Sequence, residues 1–189
     1  MTDPVTKMRG ISPEFSRVVA LADIERRDLH AEWTATAAEC AALTRRFGIV
    51  AVHALAARVT VSRLGGGGAL ARIALTADVE QQSVVSLANV RQKVEAGVTV
   101  RYLGSKAARD YELMVEEEGG EPPDEDIEVM EGETIDIGET IAQQLSLALD
   151  PYPRQVGETF EAVGISSDDD DRADRPNPFE VLKNFKQTS

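Results

Sequence analysis

Through the middle of the chain, polar and apolar residues alternate with a period of two. Ala57, Val59 and Val61 alternate with Arg58, Thr60 and Ser62. After Gly65–Gly68, Ala71, Ile73, Leu75, Ala77 and Val79 alternate with Arg72, Ala74, Thr76 and Asp78. That period gives each arm one buried and one wet face, and the glycines between the arms predict a hairpin turn. Val98, Val100 and Tyr102 against Thr99 and Arg101 extend the sheet through residues 90–103. Upstream, His30, Glu32 and Thr34 alternate with Ala31, Trp33 and Ala35, a short strand, and residues 15–24 read as a strand running into a turn. Residues 111–115 read as an edge strand.

Two segments switch to the helical period. Thr36 and Glu39 form a capping-box pattern ahead of Cys40, Leu43 and Phe47, which fall on one face. Arg45 and Arg46 suit the negative end of that helix dipole, and Gly48 supplies the stop. Asp136 and Glu139 repeat the capping pattern before Ile137, Ile141, Leu145, Ala148 and Leu149, and Asp150-Pro151-Tyr152-Pro153 ends the second helix. A short terminal helix opens at Asn177-Pro178, with Phe179, Leu182 and Phe185 on one side. The expectation is therefore an α+β fold: an antiparallel sheet of five to seven strands, two main helices and a short C-terminal helix. Closure of the sheet into a barrel is left open. Residues 1–14 read as a flexible arm, 15–154 as one domain with an acidic loop at 116–134, 155–175 as an acidic linker and 176–189 as the terminal helix.

Charge changes this picture. The net charge of −13 is unevenly spread: residues 1–115 hold 15 Lys/Arg and 12 Asp/Glu, residues 116–189 hold 5 and 21. The acidic total argues against a protein that coats nucleic acid with clustered cations. The mildly basic first part leaves room for phosphate contact by Arg58, Arg63 and Arg72, joined by Arg91, Lys93 and Arg101 on the wet side of the sheet. A plain solvated face is the competing reading. Tyr102 and Tyr111 are the only aromatics near those cations, so contact would be to RNA backbone rather than to stacked bases. The terminal helix, with Pro178, Phe179, Leu182 and Phe185, is either packed on its own domain or offered to a partner groove.

Candidate chemistry is sparse. Hydrophobic residues make up 42% of the chain, aromatics only 5%, and no apolar run approaches the length of a membrane span. With no leader-like start and a single cysteine, Cys40, the expectation is a cytoplasmic protein without a disulfide. The Gly65–Gly68 run lacks the Lys-Ser/Thr ending of a phosphate loop. His30, His53 and Cys40 show no metal-ligand spacing, so no metal, cofactor or catalytic residue is assigned. A pocket holding His53 beside two carboxylates would favour an RNA-processing hydrolase instead.

Several segments resemble the YceD family. They are Pro13-Glu14-Phe15-Ser16-Arg17, Arg45-Arg46-Phe47-Gly48, the run from Ile135-Asp136-Ile137-Gly138-Glu139 to Leu149-Asp150-Pro151-Tyr152-Pro153-Arg154, and Pro176-Asn177-Pro178-Phe179. The resemblance implies a cytoplasmic bacterial protein needed for normal accumulation of large-subunit ribosomal RNA, and the acidic insert with a short N-terminal half resembles alphaproteobacterial members. Many relatives carry a Cys-x-x-Cys pair at the end of the hairpin's second strand. Here that stretch reads Ser83-Val84-Val85-Ser86, which removes the zinc site the resemblance would imply, because serine hydroxyls are poor zinc ligands.

The function expected from these readings is a non-catalytic accessory factor in ribosome biogenesis. It would bind a large-subunit precursor or a ribosomal protein, with ribosomal RNA as a further partner and no membrane. In one mechanism the acidic segments shield a cationic ribosomal-protein surface while the basic sheet face touches phosphates. A general protein-interaction adaptor unrelated to ribosomes is the alternative.

Overall fold

The structure is a computed structural model and describes residues 13–118 and 125–158. The long alternating arms form β3 (Ala51–Arg63) and β4 (Ala69–Gln82), an antiparallel hairpin closed by a tight turn over Gly65–Gly67. β2 (Leu29–Thr34) lies on one side of the hairpin and β5 (Asn89–Gly104) on the other. β6 (Asp126–Met130) completes a five-stranded sheet in the order β2-β3-β4-β5-β6. A second, two-stranded ribbon joins β1 (Val18–Ala20) to β7 (Thr134–Asp136).

Period-two burial follows the sequence pattern. Leu55, Ala57, Val59 and Val61 of β3, Ala71, Ile73, Leu75, Ala77 and Val79 of β4, and Val94, Val100 and Tyr102 of β5 are buried together. α1 (Ala37–Phe47) adds Cys40 and Leu43 to this core, and α3 (Ile137–Ala148) adds Ile137, Ile141, Ala142 and Leu145. Full burial of each large aliphatic side chain contributes about 1.5–3 kcal/mol, so these two amphipathic faces hold the helices on the sheet. α1 starts at the expected box: Thr36 Oγ1 accepts from Glu39 N–H, and the Glu39 carboxylate accepts from Thr36 N–H. It ends at Gly48, whose φ of +64° is open to glycine at little cost.

The α+β class holds, with four corrections. The sheet, whose closure the sequence left undecided, is open, and β6 runs parallel to β5, so it is mixed rather than purely antiparallel. Residues 105–118 form a third long helix, α2 (Ser105–Glu118), where residues 111–115 had read as an edge strand. The run of Lys, Ala, Arg, Leu, Met and Glu favours helix, and a parallel partner for β5 requires a crossover connection of this length. The predicted loop at 116–134 contains the end of α2 and all of β6. Finally, Glu14, placed in the flexible arm, is docked on Arg46. The predicted terminal helix with Pro178, Phe179, Leu182 and Phe185, and most of the predicted linker, lie outside the described residues.

Candidate interaction surface

The face of the sheet opposite α1 and α3 is hydrophilic, and strand register lays it out in rows. Reading across β2-β3-β4-β5, one row is His30, Thr60, Arg72, Thr99; the next is Glu32, Arg58, Ala74, Gly97; then Thr34, Ala56, Thr76, Glu95. Below these come Ala54, Asp78, Lys93 and then Ala51, Glu80, Arg91. Above them, Arg101 sits across from Leu70. Five of the six predicted cations, Arg58, Arg72, Arg91, Lys93 and Arg101, thus share one face. Arg63 falls at the parity of Val59 and Val61, on the other side of β3.

Sharing a face does not make the five cations equivalent. Arg91 is held by Asp78 through two hydrogen bonds of 2.8 and 2.7 Å. The Arg91 guanidinium in turn keeps the Asp78 carboxyl below the usual carboxylate range. Arg101 donates twice to Glu125, at 2.9 and 2.6 Å, and its guanidinium lies 4.9 Å from the centre of the Tyr111 ring. Arg58 has only Glu32 at 3.9 Å, with both side chains largely exposed, and Arg72 has no ion pair among the described residues. Arg58 and Arg72 flank the small residues Ala74 and Gly97, and an open concavity of about 630 Å³ forms there. Ile73 and Val98 also line it, with Thr60, Thr99, Asp126 and Gln144, the last two lying beyond the β5 edge within 3.5 Å of each other.

Neither aromatic near the cations is offered to a base. Tyr102 is buried on the core side, where its hydroxyl meets Thr140 Oγ1 at 2.6 Å; burial pushes its phenol well above the usual range. Tyr111 carries Arg101 on its ring. His53 does lie beside carboxylates: its Nε2 is 2.8 Å from Glu80 Oε2. Both oxygens of the neighbouring Asp78 are taken by Arg91, however, and His53 is not in the lining of the Arg58–Arg72 concavity. The pair is an exposed cross-strand contact rather than the pocket a hydrolase would need.

The motif segments are gathered elsewhere, around the start of α3. Asp136 caps α3 by accepting from Gly138 N–H and Glu139 N–H. The same carboxylate accepts from Ser16 Oγ at 2.6 Å and from Arg17 N–H at 2.7 Å. Gly138 lets this happen: a Cβ there would lie 2.5 Å from Arg17 N and 2.6 Å from the Phe15 carbonyl oxygen. Arg17 then forks onto Glu39, whose carboxyl is held down at about 2 chiefly by that guanidinium. Arg46 bridges Glu14 and Glu139, so Glu139 does not close a capping box as the sequence suggested. Pro13–Arg17, Arg46 and Asp136–Glu139 are thus one structural knot, far in sequence and adjacent in space.

The Ser83–Ser86 turn closes on itself. Ser83 Oγ accepts from Val85 N–H and Ser86 N–H, and the Pro153 carbonyl accepts from Val84 N–H.

These features define an open-sheet α+β domain with one face of the sheet covered by α1 and α3 and one hydrophilic face that bears five of the six predicted cations. The family model described as large ribosomal RNA subunit accumulation protein YceD matches residues 71–186. That is more than half of the chain, which belongs to this family. No curated protein and no solved structure matches the chain. Among the described residues no helix is long and apolar enough to cross a membrane. Residues that sequence reasoning missed are Thr60, Thr99, Gly97, Asp126 and Gln144. The first three stood at wet positions of the alternating strands; the last two are brought in only by tertiary packing.

Proposed function

We propose that the protein is a non-catalytic accessory factor that supports accumulation of large-subunit ribosomal RNA by binding, in the cytoplasm, to precursors of the large subunit. Family membership supplies the ribosomal setting. The observation that carries the binding reading is the hydrophilic sheet face, which presents Arg58 and Arg72 beside hydroxyls and a shallow concavity. Guanidinium forks with hydroxyl donors suit phosphate oxygens, and among the described residues the two tyrosines near the cations are otherwise engaged, which suits backbone contact over base reading. The acidic C-terminal part, with 21 Asp/Glu against 5 Lys/Arg in residues 116–189, suits a cationic ribosomal protein as second partner.

Gradient sedimentation of cell extract tests the reading. The protein should co-migrate with large-subunit precursors, and its depletion should lower large-subunit relative to small-subunit ribosomal RNA. A protein that stays at the top of the gradient, with unchanged RNA ratios on depletion, would return the adaptor reading to first place.

A further inference from the structure

The geometry points to a specific seat on this surface: we propose that the Arg58–Arg72 concavity holds a phosphodiester of single-stranded RNA, a step that rests on the ribosomal reading above. Among the described residues, two guanidinia stand here with no carboxylate at hydrogen-bond distance. The other guanidinia of the face differ, because Arg91 and Arg101 are each taken by a carboxylate at hydrogen-bond distance, and Lys93, which has no ion pair among the described residues, lines a different concavity. The Glu32 carboxylate is 3.9 Å from Arg58 in a pair that is mostly in water, where such contacts are weak and yield to a better ligand.

The floor is built to admit a ligand. Arg58 is level with Ala74 and Gly97 across the strands, so no side chain larger than a methyl group rises between it and β5. Arg72 sits in the adjoining row between Thr60 and Thr99. Diagonal neighbours on a sheet face lie roughly 7–8 Å apart, within reach of two long side chains closing on one group. A tetrahedral phosphate takes donors from several directions at once, here two guanidinia and two hydroxyls.

An acidic peptide fits less well. One planar carboxylate is saturated by a single guanidinium fork, and it brings no hydroxyl or amino donor for Asp126 on the rim to accept from. For a nucleotide the same rim is useful. Asp126 can accept from a ribose 2′-hydroxyl or a base amino group, and Gln144 can donate or accept beside it. The volume of about 630 Å³ suits one nucleotide unit.

The test uses the full chain and a labelled single-stranded ribo-oligonucleotide, followed by fluorescence anisotropy in steps of salt. Arg58→Gln and Arg72→Gln should each weaken binding about tenfold. Each should also flatten the plot of log affinity against log salt by about 0.7. Arg91→Gln, on the same face but already paired, should change affinity less than about twofold. Urea midpoints equal to wild type confirm that the variants fold. DNA of the same sequence should bind more weakly, and inorganic phosphate should compete only at high concentration. Equal losses from Arg91→Gln, or competition by oligoglutamate as strong as by RNA, would overturn the seat. The two readings fail separately. If Arg58→Gln and Arg72→Gln bind RNA like wild type while the protein still co-migrates with precursors, only the seat is wrong. If wild type binds RNA through these arginines but never meets a precursor, the ribosomal reading is wrong.

Discussion

Replacing Gly138 by alanine tests whether the N-terminal segment is truly clamped to the start of α3. The new Cβ would stand 2.5 Å from Arg17 N, 2.6 Å from the Phe15 carbonyl oxygen and 2.8 Å from the Ser16 carbonyl carbon. All three are backbone atoms, and each is roughly an ångström inside van der Waals separation. No rotamer change relieves that, so the segment must lift. Lifting it breaks the bonds from Ser16 Oγ and Arg17 N–H to Asp136, and from Ile137 N–H to the Arg17 carbonyl. At about 1 kcal/mol net each, these sum to about 3 kcal/mol. Phe15, fully buried in the core, would be partly exposed for about 1 kcal/mol more. Alanine's better helix propensity returns about 1 kcal/mol. The net expectation is a loss of about 3 kcal/mol, or roughly 6–12 °C in melting temperature for a domain of this size. Urea unfolding followed by far-ultraviolet circular dichroism measures it. Gly65→Ala, where nothing lies within 4 Å of the new methyl group, is the control and should stay within about 0.5 kcal/mol of wild type. Ser16→Ala should cost about 1 kcal/mol alone and nothing in the Gly138→Ala background, since its hydrogen bond is already gone. Gly138→Ala as stable as wild type, or a full Ser16→Ala cost in both backgrounds, would refute the clamp.

Two further predictions concern carboxyl groups with opposite shifts. Glu39 is held at about 2, against an ordinary value of 4.5, mainly by the Arg17 hydrogen bonds. A depressed folded value means that its stabilisation is complete above the ordinary value and is lost as pH falls from there toward 2. Acid titration of stability should therefore show a loss in that window that shrinks in Glu39→Gln, and identical profiles would contradict it. Glu128 is half-buried, and burial, followed by repulsion from Asp126 and Glu139, raises its carboxyl. The folded state then binds more protons than the unfolded one, so this residue subtracts stability as pH rises past its ordinary value. Glu128→Gln should raise the melting temperature at neutral pH and change it little in acid; a lower melting temperature at neutral pH would show that the charge has a partner in solution.

The ribbon β1–β7, the clamp at Asp136 and the pairing of Arg46 with Glu139 join residues more than 90 positions apart. Such contacts leave no periodic trace, because neither partner's local neighbourhood depends on the other. The capping pattern at Asp136 was visible, yet the use of Glu139 was misread, since a bidentate arginine competes better for a carboxylate than one backbone N–H does. Likewise the acidic residues around β6 hid its alternation. Asp126, Glu128 and the apolar residues between them form a strand only because β5 supplies a partner edge.

What the sequence determined by itself is local: β2 to β5 with their buried parity, both cap-initiated helices, the glycine stop at residue 48 and the wet side on which five of the six cations lie. These follow from periods of 2 and 3.6 and from turn chemistry, which act over a few residues. Tertiary structure alone decided that α2 connects two parallel strands, that the sheet stays open, and that Arg91 and Arg101 are occupied while Arg58 and Arg72, among the described residues, have no carboxylate at hydrogen-bond distance. Register and ion pairing depend on which strands meet, and that is fixed by burial of the whole core rather than by any one segment.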